Sequence, residues 1–141
     1  MKESILIVAG TPASIKVKVS SLVGRALDYA VAKCENAEFR LIGGALEMKF
    51  TDTSWRDWVS FSSDWSESGK LIEREKLAIW FEDWTKIDAA VSSCWVSSIG
   101  HHLTDKVHTG ETLLIAAMRC YVTKVVGDEI NIPETLIGGA V

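Results

Sequence analysis

Apolar positions recur at helical spacing over residues 20–36, "SSLVGRALDYAVAKCEN", where Leu22, Val23, Ala26, Leu27, Ala30, Val31 and Cys34 fall on one side. This spacing predicts a helix, with Ser20 or Ser21 capping its start, Asn36 at its exit, and Arg25, Asp28 and Lys33 turned to water. In "EFRLIGGALEMKF" the period changes to two on both sides of Gly43 and Gly44, which predicts a hairpin with Leu46, Met48 and Phe50 on its buried face. The segment "SWRDWVSFSSDW", residues 54–65, holds three tryptophans. Its first half reads as a third strand, with Trp55, Asp57 and Val59 on one face and Arg56, Trp58 and Ser60 on the other. The turn from Ser62 to Asp64 then opens a short helix over 66–75.

Alternation returns in "KLAIWFED", with Leu77, Ile79 and Phe81 opposite Ala78, Trp80 and Glu82. After a turn around Asp83 to Lys86, "IDAAVSSCWVSS" is a further strand candidate. Residues 98–110 carry no clear period and are expected to form a loop. The strongest helical pattern covers 111–126, with Leu114, Ala117, Met118, Tyr121, Val122 and Val125 in one stripe, Thr109 at the start and Gly127 at the end. These elements predict an α+β fold: a single compact domain in which an antiparallel sheet of four to five strands is packed by two main helices.

Composition narrows the function classes. The 141 residues fit one domain, and 48% hydrophobic with 24% charged residues is an ordinary globular balance. The apolar runs fall far short of the roughly 20 residues that span a bilayer, so no membrane association is expected. The N-terminal run after Lys2 is shorter than the core of a secretion signal, and Glu3 interrupts its charge pattern. A net charge of −4 argues against general nucleic-acid binding, which depends on neutralising phosphates. Cys34, Cys94 and Cys120 lie far apart in apolar surroundings, as reduced thiols of a cytoplasmic protein would.

Three blocks, "KVKVSSLVGRALDYAVAKCEN" at 16–36, "SSDWSESGKLIERE" at 62–75 and "LLIAAMRCYVTKVVGDEINIPETL" at 113–136, resemble the bacteriophage NinX-like family, small phage accessory proteins of undefined biochemical function. Family members tend to have a Trp-x-Pro-Ser-Thr-Asp-Trp core and then a Gly-Gly-Pro-like step. Here these read "WVSFSSDW" and "ESGK", without proline. The resemblance implies a phage or prophage origin, a compact α+β fold and action in the bacterial cytoplasm, and it brings no catalytic residues. It also sets the expected organisation: an N-terminal extension over 1–15, the NinX-like domain over 16–136 and a tail over 137–141.

The chemistry-bearing residues cluster around the tryptophans. Indoles at strand spacing are the usual material of a core, and Trp58 and Trp95 read that way; Trp65 reads as a hinge between strand and helix. The functional reading is that Trp55, Trp80 or Trp84 lies on the polar side of its segment and stacks on a base. Arg56 and Arg74 flank the block and suit phosphate, which arginine grips through paired charge-assisted hydrogen bonds. The turn at Ser63 and Asp64 adds backbone N–H groups as helix starts do, although charge clusters of this kind are also ordinary solvated ion pairs. The candidate ligand set is therefore Trp55, Arg56, Trp58, Ser63, Asp64, Trp65, Arg74, Trp80 and Trp84.

His101, His102 and His108 match no zinc spacing, and no metal or cofactor is expected. Nucleophile elbow, Walker loop, His-Glu-x-x-His and Cys-x-x-Cys are all absent from the sequence, which leaves no catalytic residue to nominate. The leading expectation is a non-enzymatic, homo-oligomeric binding protein that sequesters a small nucleotide-like signalling molecule and so counters host antiviral defence. A protein-interaction module that modulates a host or phage enzyme is the alternative, with exposed tryptophans as anchors. An enzyme degrading the same signal is the weaker one.

Overall fold

The computed structural model describes residues 14–43, 45–51, 53–83, 93–99 and 107–137. In chain order these form β1 (Ser14–Lys18), a 3-10 turn (Val19–Ser21), α1 (Gly24–Cys34), β2 (Glu38–Ile42), β3 (Ala45–Lys49), β4 (Arg56–Asp57), α2 (Trp65–Glu75), β5 (Leu77–Glu82), β6 (Cys94–Ile99), β7 (Val107–Gly110), α3 (Leu113–Val126), β8 (Glu129–Pro133) and a final 3-10 turn (Glu134–Leu136). The class is α+β, but the expected single sheet of four to five strands is replaced by three small antiparallel sheets, β1-β8, β2-β3-β4 and β5-β6-β7. Besides the two main helices, α2 forms where the short helix over 66–75 was expected. Alternation specifies strands and their faces but not which edges meet. Here α2 intervenes between β4 and β5, and β8 zips onto β1, with Ile15 opposite Ile132 and Val17 opposite Ile130.

One apolar core joins these pieces. α1 and α3 supply Leu27, Tyr29, Val31, Met118, Cys120 and Val122, and the hairpin adds Phe39 and Met48, all fully or almost fully buried. Fully burying such side chains stabilises a fold by about 1.5–3 kcal/mol each relative to exposure. Tyr29 and Phe39 stack with centroids 4.7 Å apart. The stripe expected on α3 holds except at Val125 in the last turn, which is 49% exposed. On the hairpin, Met48 is buried, while Leu46 and Phe50 pack against the core half-buried. Leu77 and Ile79 face inward as expected, but Phe81 at the strand end is half-exposed and meets the edge of Trp95.

The local chemistry explains the boundaries. α1 starts after Val23 without a side-chain cap, because Ser20 and Ser21 belong to the preceding 3-10 turn and Ser21 Oγ donates to Lys18 O at 2.8 Å. Asn36 leaves the helix with a φ of +64°, in the left-handed conformation that asparagine tolerates well. The hairpin turns at Gly43, with a φ of +57°, and Gly44 lies outside the described residues. α3 is capped by Thr112, which accepts from Ile115 N at 3.2 Å, and not by Thr109. Thr109 belongs to β7, a short strand within the stretch expected to be a loop. β7 ends at Gly110, where a Cβ would stand 2.6 Å from Ala116 N; the strand can pass under α3 only without a side chain.

The tryptophan stretch is far less regular than a strand. β4 keeps only Arg56 and Asp57 paired, against Met48 and Glu47, and the chain then turns over residues 61–63 into α2. What interrupts it is a carboxylate. Asp28, expected to face water, is 3% exposed. Its Oδ1 accepts from Ser62 N at 2.8 Å and its Oδ2 from Trp58 Nε1 at 3.2 Å. Its two donors lie too far along the chain for helical periodicity to reveal them.

Candidate functional site

Two open clefts lie on either side of β4. The one on the Arg56 side, of about 340 Å³, is lined by Arg56 from β4, Glu67, Lys70, Leu71 and Arg74 from α2, Glu35 at the end of α1, and Phe50, Thr51, Thr53 and Phe61. Phe50 and Phe61 meet edge to face, centroids 6.0 Å apart. The helix places its contributors by spacing: Glu67, Lys70, Leu71 and Arg74 follow an i, i+3, i+4, i+7 pattern and share one face. α2 itself is fixed at its start by Asp64, whose Oδ1 accepts from Ser66 N at 2.9 Å, and by buried Ser68, whose Oγ donates to Phe61 O. It closes at Lys76 with a φ of +56°.

The cations of this cleft are not equivalent. Arg74 donates through Nη1 and Nη2 to the two oxygens of Glu35 at 3.0 and 2.7 Å, through Nη2 to Tyr121 Oη at 3.1 Å, and through Nε to Glu75 at 2.7 Å. Tyr121 donates to the same Glu35, and Lys124 ties Glu75 to α3. Burial opposes the charge on Glu35, yet the hydrogen bonds from Arg74 and Tyr121 outweigh it and hold its carboxyl below the ordinary value. Burial and the bond to Glu35 push the Tyr121 phenol up. Arg56, by contrast, donates only Nη2 to Glu67 Oε2, at 2.8 Å, among the described residues, and its side chain is 46% exposed. Lys70 Nζ stands 3.8 Å from Glu67 Oε1, beyond hydrogen-bond reach.

The other cleft, of about 550 Å³, is lined by Trp58, Arg25, Asp57, Leu46, Leu136 and their neighbours. Arg25 lies over the Trp58 ring, 4.5 Å from its centroid, and Asp28 pins the indole from below. Burial pushes the Asp28 carboxyl above its ordinary value, although the bonds from Ser62 and Trp58 and the charge of Arg25 pull the other way.

The structure thus divides the expected residues. Arg56 and Arg74 meet in one cleft and Trp58 lines the other. Trp55 is half-buried beneath Arg40, whose Cζ is 4.3 Å from its ring. Trp80 is half-buried and donates Nε1 to Glu82 Oε2 at 2.7 Å. Trp65, the first residue of α2, is 55% exposed. Ser63 and Asp64 lie on the surface, and their turn does not offer free N–H groups to an outside anion: Ser63 N and Asp64 N both donate to Ser60 O, and Ser62 N donates to Asp28. The anion they organise is the protein's own. Trp84, His101 and His102 lie outside the described residues; His108 is half-buried in β7. Among the described residues no group of three His, Cys, Asp or Glu could hold a metal ion, and no helix is long and apolar enough to cross a membrane.

As residues of this cleft, Glu35, Glu67, Lys70, Tyr121, Phe50 and Phe61 escaped the sequence reading. The helical spacing of Glu67, Lys70 and Arg74 was the available signal; Glu35 and Tyr121 reach the cleft only through tertiary packing.

These features define a small α+β protein with open, charged clefts. The chain belongs to the family described as bacteriophage P22 NinX, whose model matches residues 18–124. No curated protein matches it.

Proposed function

We propose that this chain is a non-enzymatic binding protein that captures a small nucleotide-like anion in the bacterial cytoplasm and withholds it from host antiviral signalling. The observation that carries this reading is the convergence on one cleft of Arg56 and Lys70, whose hydrogen-bond donors are largely uncommitted among the described residues. Guanidinium and ammonium groups favour phosphate. Three cations against the two lining carboxylates, Glu35 and Glu67, leave an excess of one positive charge in a chain of net charge −4. Assembly into a homo-oligomer would multiply such clefts.

The test mixes purified protein with cyclic and linear oligonucleotide signals, removes unbound material, and heats the complex. Release of intact nucleotide supports sequestration, and release of an altered one supports an enzyme. Failure to retain any nucleotide would sink the proposal. The exposed Trp65 favours a second reading, a protein-interaction module anchored on that indole, for which Trp65→Ala should abolish co-purification of a host enzyme.

A further inference from the structure

We propose that Glu67 makes the Arg56 cleft selective for a ribonucleotide, with phosphate on Arg56 and Lys70 and a ribose hydroxyl donating to Glu67 Oε1. This rests on the anion-binding reading above and names its ligand class more closely. The two carboxylates of the cleft differ in what they leave open. Both oxygens of Glu35 accept hydrogen bonds, from Arg74 and Tyr121. Glu67 accepts only at Oε2, from Arg56; its Oε1 faces the Lys70 ammonium at 3.8 Å without a hydrogen bond among the described residues. Its side chain is 18% exposed and lines the open cleft. Arg56 keeps the rest of its N–H donors, and Lys70 all of its own, for a ligand.

The unmet groups are thus cationic donors and an anionic acceptor side by side. A simple inorganic anion satisfies the donors but is repelled by Glu67. A ligand with an anionic group a few bonds from a hydroxyl satisfies both, and a phosphorylated ribose has that pairing; carboxylates accept from ribose hydroxyls in dinucleotide sites for the same reason. Thr51 lines the same cleft, while the Thr53 hydroxyl is committed to the backbone of Phe50.

Isothermal titration of adenosine and guanosine 5′-diphosphates, their 2′,3′-dideoxy counterparts and pyrophosphate into the wild type and Glu67→Gln tests this. For the wild type, the ribonucleotides should bind about tenfold or more tighter than the dideoxy forms, as for a hydrogen bond to a charged group. In Glu67→Gln that ratio should fall below about threefold while pyrophosphate binds more tightly, since the repelling charge is gone. Circular dichroism melting should show both proteins folded, with Glu67→Ala as the second variant if the glutamine form melts early. Equal binding of ribo and dideoxy forms by the wild type, or an unchanged ratio in Glu67→Gln, overturns the role of Glu67 and leaves the anion-binding reading intact. If neither protein binds any of the probes, that reading falls and the selectivity falls with it.

Discussion

At one end of the Arg56 cleft, Arg74 is bound by Glu35, Glu75 and Tyr121 in a network that clamps α1, α2 and α3 together. At the other, Arg56 and Lys70 share a single carboxylate and leave most of their hydrogen-bonding capacity unused. The same residue type serves structure at one end and remains available at the other. The difference lies in partner number, not in exposure, because the two arginine side chains are about equally open, at 50% and 46%. An exposed arginine is a candidate ligand only after its internal acceptors have been counted.

Mutations should break this contrast in a graded way. The largest effect should come from beneath the closed end: Met118 is fully buried on α3, which also carries Tyr121. Met118→Ala should lower stability by about 2–5 kcal/mol, read from urea unfolding, as other buried large-to-Ala changes do. Next, Glu35→Ala removes the acceptor shared by Arg74 and Tyr121. It should cost about 1–2 kcal/mol, toward the low end for a lost charged partner because Arg74 is half in water. Smallest in stability is Arg56→Ala, which should shift the unfolding midpoint by less than about 0.5 kcal/mol while weakening nucleotide binding about tenfold or more. If Arg74→Ala reduced binding more than Arg56→Ala with stability unchanged, the assignment of the two ends would be reversed.

Acidification tests the closed end from another side. The folded-state pKa of Glu35 is depressed, so its contribution is complete above the ordinary glutamate range and is lost as pH falls through the lower folded value. Asp28 has the opposite sign. Its pKa is raised by burial, so the folded state takes up a proton first and acid relieves part of its cost. Denaturation midpoints measured across the acid range should therefore fall less steeply in Glu35→Gln than in the wild type, and more steeply in Asp28→Asn.

Much of this was legible in the sequence. The 3.6-residue period marked α1 and α3, the capping turn marked α2, and the Gly-Gly step marked the β2-β3 hairpin, because all are local signals. Sheet partition was not legible: β1 and β8 lie at opposite ends of the described chain, and nothing in "SIKVK" or "EINIP" says that they pair. Arg56 and Arg74 were visible as cations flanking the tryptophans. Their unequal roles depend on Glu35 and Tyr121, whose hydrogen bonds to Arg74 span 39 and 47 residues. The misreading of Asp28 has the same origin, since a period of 3.6 reports where a side chain points on its helix but not what later arrives to cover it.

That covering has a consequence in time. Asp28 bonds to Trp58 and Ser62, which lie 30 and 34 residues further along the chain. Until both donors arrive the carboxylate keeps its water, so α1 can form early while the docking of the tryptophan segment waits for closure of a long loop. Water must leave as the two bonds form, so the tryptophan segment is expected to dock after α1 has formed. The clefts on either side of β4 are then completed together, when the chain behind that strand locks onto α1.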